Sequence, residues 1–168
     1  EESLLINAKR FNAKYNATMS ELMAYSADER SQSAQWESLS SVKKDSSAYQ
    51  TAHRPTKKMI LEKFLEVLPE YADSTAMLEQ WQSELADKTV SQRVDYIESH
   101  PFLNYMTALE HQRWNNFYYM RNFVFGQEKD EIKKTHDCLI DDWSEFLASK
   151  QRDKAIFDTI STLDLREG

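Results

Sequence analysis

Residues 107–126 read T107-A-L-E-H-Q-R-W-N-N-F-Y-Y-M-R-N-F-V-F-G126, and the reading of this stretch decides the fold. It is the longest run without an internal Gly or Pro that is also dense in apolar and aromatic side chains. Pro101 stands shortly before it and Gly126 closes it, the order expected when Pro enters a first helical turn and Gly ends a helix. The pattern predicts one helix from about Pro101 to Phe125. From Phe117 onward only Arg121 and Asn122 are polar, so this half is expected to be buried nearly all round. The N-terminal half differs. Glu110, Arg113 and Phe117 fall on one face, while His111, Trp114 and Tyr118 fall on the next. A buried helix with Glu, His, Arg and Trp in five positions is either a polar core network or the wall of a binding site.

Working outward, the totals narrow the options. The chain has 168 residues, which suits one domain. It carries 21 basic and 28 acidic side chains, a net charge of −7, and so lacks the basic stripe that a nucleic-acid polymer requires. A single Cys excludes an internal disulfide and fits a reducing compartment. No run approaches the length of apolar residues needed to cross a bilayer, so no direct membrane insertion is expected. The opening Glu-Glu runs at once into an apolar period, which predicts no secretory leader, and the missing initiator Met points to a longer protein. Two Gly and three Pro disfavour an all-β fold and favour an all-α one.

The rest of the chain is read as helices. Leu4, Leu5, Ala8, Phe11, Tyr15, Met19, Leu22 and Met23 make a 3.6-period stripe over 3–25. Residues 26–35 read as a connector. Asp45, Ser46 or Ser47 is placed to cap a helix from about Ala48, which Pro55 should kink or restart. Met59, Ile60, Phe64 and Leu68 are the expected buried face beyond it. Ser74 or Thr75 would cap a helix holding Leu78, Trp81 and Leu85, and Thr89 or Ser91 a short one holding Val94, Tyr96 and Ile97. Residues 127–140 read as a charged loop. Asp141 or Asp142 would cap a short helix at Trp143, and Ile156, Phe157, Ile160 and Leu163 mark a last helix. The total is about seven helices and no convincing strand.

A weak repeat runs through this order. Trp36-Glu-Ser-Leu39 precedes Asp45, and Trp143-Ser-Glu-Phe146 precedes Asp153. Each unit follows a long aromatic-bearing helix, so the two could pair about an approximate two-fold axis with a cleft between them.

Together these residues resemble the ryanodine-receptor (RyR) domain family. The second half carries L-E110-H111-Q-R113-W114, Gly126, K133-K-T-H136-D-C-L139, W143 with Phe146 or Leu147, and D153. The first half carries Asn12 and Tyr15, W36-x-x-L39, and S46-S-A-Y-Q50-T-A-H53-R-P55-T-K57. The likeness covers about 1–60 and 104–164, in the family's order. Asp137 stands where the family favours Pro, Ser47 where it favours Asn, and Ala48 where it favours Arg. The resemblance implies an all-helical module of two pseudo-symmetric halves, with 61–103 as an added helical insertion that packs on the module without lining its site. It also implies a cytoplasmic module joined to other domains and sensing nucleotide-derived ligands.

The candidate residues each carry two readings. Glu110 and Arg113 either lock the core or line a site, and His111 either satisfies a carbonyl or meets a ligand. Trp36 and Trp143, expected in loops, either stack on a base or plug a loop. Gln50, His53 and Lys57 share a helix face and either lie on a solvated surface or grip a phosphate, with His136 in a second, weaker basic patch. Catalysis is disfavoured. Glu110-His111 lacks the paired His of a zinc-protease helix, and Cys138 with His136 has no Gly-rich turn for an oxyanion.

The sequence-based expectation is a non-enzymatic module with no metal and no cofactor. It would bind a small anionic, nucleotide-like ligand through Trp36, Gln50, His53, Lys57, His111, Arg113, His136 and Trp143. The ligand would lie between the halves and regulate an attached effector or channel-like protein. The rival expectation is a structural or protein-interaction module of a larger assembly, without a small ligand. Oligomeric state is left open, a homo-oligomer included.

Overall fold

The computed structural model describes residues 2–165. They are mostly helical: α1 Glu2–Met23, α2 Gln32–Glu37, α3 Ser41–Ala52, α4 Arg54–Phe64, α5 Ser74–Ala86, α6 Val90–Ser99, α7 Pro101–Tyr119, α8 Trp143–Ala148 and α9 Ala155–Leu163. A 3-10 turn at Arg152–Lys154 leads into α9. The chain forms two compact units. The first comprises 1–89 and 160–168, the second 90–159, so α9 begins in the second and ends in the first.

In the first unit, α1 packs on α2 and α3, and the chain continues through α4 to α5. Phe11 and Met19 of α1, Leu61 of α4, and Met77, Trp81 and Leu85 of α5 are buried. The caps follow local chemistry, each a side-chain oxygen accepting an orphan helix N–H. Ser31 opens α2, Ser40 opens α3 and Asp73 opens α5. The α3 and α5 caps therefore lie upstream of the residues the sequence suggested, Asp45–Ser47 and Ser74 or Thr75. In α3 a Ser-Ser-Val-Lys-Lys run is more helical than its composition implies, because Ser40 satisfies Lys43 N–H first. Pro55 does start a new helix. The buried face of α4 is not the apolar one expected, however. Arg54, Lys57 and Leu61 face inward, and Met59 is exposed.

In the second unit, α6 packs on α7 and on the 3-10 turn, which also meets α8. Its core gathers Val94, Cys138, Phe146, Leu147 and Ala155, with Trp114, Ile140 and Trp143 packed against them. His100 caps α7 by accepting Leu103 N–H at 3.3 Å, with Pro101 in the first turn. The helix stops at Tyr119, six residues before the expected end. Asn122 takes a left-handed φ of 62°, a conformation Asn tolerates, and the chain turns back there. The stretch after Phe117 is accordingly not buried all round, since Met120, Val124 and Phe125 are exposed.

The sequence also conceals a small sheet. Strand β1, Val124–Phe125, at the end of the expected helix, pairs parallel with β2, Thr135–His136, inside the segment expected to be loop. Val124 N–H donates to Lys134 O at 2.9 Å and Gly126 N–H to His136 O at 3.3 Å. Strands of two residues give no alternating pattern to read. Gly126 matters here for space and not as a helix terminator. A Cβ at this position would lie 2.6 Å from the Thr135 Cβ.

Candidate functional site

The eight candidate residues divide between the units, four in each. In the first, α9 ends against donors from four other helices. Gln50 Nε2 and Lys57 Nζ both donate to Ser161 O, at 3.1 and 3.0 Å. Arg54 donates through Nε to Asp164 O at 3.1 Å and through Nη2 to the Asp164 carboxylate. Lys14 Nζ meets the same carboxylate at 3.2 Å, and Gln82 Nε2 reaches Leu163 O at 3.3 Å. The last carbonyls of a helix lack intrahelical partners and carry partial negative charge, so cationic donors there are favourable. The face seen as a phosphate grip thus holds a helix terminus. Gln50 and Lys57 meet at Ser161 O from two different helices instead of sharing one helix face, while His53 is half-buried at the junction of α3 and α4. Trp36 lies in helix α2 instead of a loop, with its side chain buried.

In the second unit, Glu110 and Arg113 form a buried pair one turn apart. Arg113 Nε donates to both Glu110 oxygens at 3.0 Å, and Nη2 to Oε1 at 2.6 Å. His111 is held at both nitrogens, Nδ1 by Asp158 Oδ2 and Nε2 by Ile140 O, each at 3.0 Å. Trp143 opens α8, capped by Asp142, and is half-buried. Its Nε1–H donates to Asn104 Oδ1 at 2.8 Å, and its ring stacks on Phe146. Trp114 links the two histidines of the cluster: its ring lies 6.1 Å from His111 and meets His136 edge-on at 4.8 Å. The structure therefore brings His111, His136 and Trp143 into one aromatic cluster, with Arg113 engaged by Glu110.

The protonation states follow from burial. His136 is pushed down to about 4, by burial first and by Lys129 second. Burial pushes the Cys138 thiol up to about 12. A protonated thiol beside a weakly basic imidazole is the reverse of an activated nucleophile and base. His136 Nδ1 also accepts the Cys138 backbone N–H at 3.1 Å. His136, Asp137 and Cys138 offer donor atoms within 4.8 Å of one another. They fit a metal ion poorly, because Lys154 Nζ donates to Asp137 Oδ2 at 3.0 Å and already supplies a positive charge there.

Several site residues escaped the sequence reading. Asp158 and Asp164 had no assigned role, although a lone carboxylate in the apolar run I156-F-D-T-I160 calls for a partner. Asn115 was also missed, and Asp141 was expected only as a possible cap of the helix at Trp143. Asn115 Nδ2 donates to Ile140 O at 3.0 Å and Tyr119 OH to Asp141 Oδ1 at 2.7 Å, so α7 pins the loop before α8 along its length. The chain matches no family model, no curated protein and no solved structure.

Proposed function

We propose that this chain is a non-enzymatic helical module, similar to the RyR domain, that acts as a structural and protein-interaction unit of a longer protein. One observation supports this reading above the others: the charged motif residues engage groups of their own chain. Lys57 and Gln50 hold the end of α9, Arg113 holds Glu110, and His111 holds Asp158 and Ile140. A buried charge with good partners in the fold has little left to offer a phosphate, whose binding would first require breaking those bonds.

Sensing of a nucleotide-like anion is the second reading, and Trp143 favours it. Its ring is half-exposed while its N–H is fixed by Asn104, an arrangement that leaves ring surface for stacking on a base. A thermal-shift screen against mono- and cyclic nucleotides separates the two. The structural reading predicts no dose-dependent rise in melting temperature. Sensing predicts a saturable rise, worth about 2.7 kcal/mol at 100 times the dissociation constant, that Trp143→Ala removes.

A further inference from the structure

The hydrogen bonds of His111 count its protons. The Ile140 carbonyl can only accept, so Nε2 carries a hydrogen. Nδ1 faces the Asp158 carboxyl at 3.0 Å, and that contact needs one further proton. The surroundings favour placing it on the ring. Phe146, Trp143 and Trp114 surround His111 with centroids at 4.2, 5.4 and 6.1 Å, and aromatic faces at about 6 Å or less stabilise a cation.

We propose that His111 is an imidazolium that latches the 138–142 loop to α7 and α9, and that loss of its proton as pH rises opens this latch. Once the proton leaves, two buried acceptors confront each other, the Nδ1 lone pair and the Asp158 carboxylate. One of them must move, and the ring can move only by releasing Ile140 O. Asn115 and Tyr119 still hold the loop through Ile140 O and Asp141, so the opening is local and the fold survives.

The electrostatics of His111 itself point the same way. Burial works against the charge on His111, but attraction and hydrogen bonding from Asp158 outweigh it, helped by Ile140 O and Asp141, and raise the pKa above the ordinary 6.5. The Asp158 carboxyl is itself raised, by burial first, against the pull of the imidazolium, with Glu110 raising it and Arg113 lowering it, so it competes with the ring for the shared proton. From α8 the ring meets only Trp143 and Phe146 among its aromatic contacts. A His raised in the folded state contributes stability that is fully present below pH 6.5 and is lost as pH rises through its folded pKa. His136, held at about 4, has the opposite sign and weakens the fold as pH falls below 6.5.

The test is a pH titration of the isotopically labelled chain, following the ring nitrogens of its four histidines by two-bond NMR correlations. The latch predicts that both His111 nitrogens are protonated at pH 6. It predicts a midpoint above 6.5, shared by the backbone amides of Leu139–Trp143. In Asp158→Asn the side-chain amide can donate to a neutral Nδ1, so the loop should stay closed and its amides should lose their pH response. A neutral His111 at pH 6, loop amides indifferent to its titration, or an unaltered response in Asp158→Asn would each overturn the proposal. Should that variant fail to fold, the wild-type titration alone decides.

Discussion

Arg113 shows how much a single residue decides. Its guanidinium makes three hydrogen bonds to Glu110, both side chains being buried. Arg113→Ala removes all three bonds to a buried carboxylate and should cost on the order of 3 kcal/mol in a denaturant titration. A Lys in its place offers a point charge instead of a fork and should recover only part of the loss. This pair was legible in the sequence because its partners stand one turn apart on an apolar helix. The partners of His111 and Lys57 were not. Asp158 lies 47 positions from His111, and the Ser161 carbonyl 104 positions from Lys57. Distances of that order are set by tertiary packing, which leaves no local period.

At the scale of elements, α7 carries the lesson. Its amphipathic first half and its Pro entry were readable, yet its end was misplaced, since both Asn122 and Gly126 offer a plausible stop. Asn122 takes the left-handed turn, which frees Gly126 for the close approach of β1 to β2. Gly126→Ala should therefore disturb the sheet and not the helix. With the added methyl 2.6 Å from Thr135 Cβ, the strands must separate, at a cost of about 1–3 kcal/mol. Hydrogen exchange should show faster amide exchange at Val124 and Gly126, with the α7 amides unchanged. Helix α4 misled for another reason. Its apolar residues suggested a buried Met59, but the carbonyls at the end of α9 attract Arg54 and Lys57 inward, and Met59 turns outward.

For the whole molecule, the helical class was legible from composition, because two Gly and three Pro leave few turns for a sheet. The division of the chain was harder to see. The compact units change at 89/90 and 159/160, and no run of linker composition marks either point. The central claim is that the charged motif residues lock their own fold, and Lys57 tests it most directly. Lys57 Nζ donates to Ser161 O, and the residue is 3% exposed. The measurement is the unfolding free energy of Lys57→Ala against wild type, in denaturant without added ligand. A locking lysine loses a charge-assisted hydrogen bond and buried stem, and the variant should be less stable by about 2 kcal/mol or more. A stability within about 0.5 kcal/mol of wild type is what a surface lysine kept for a phosphate would give, and it would contradict the account.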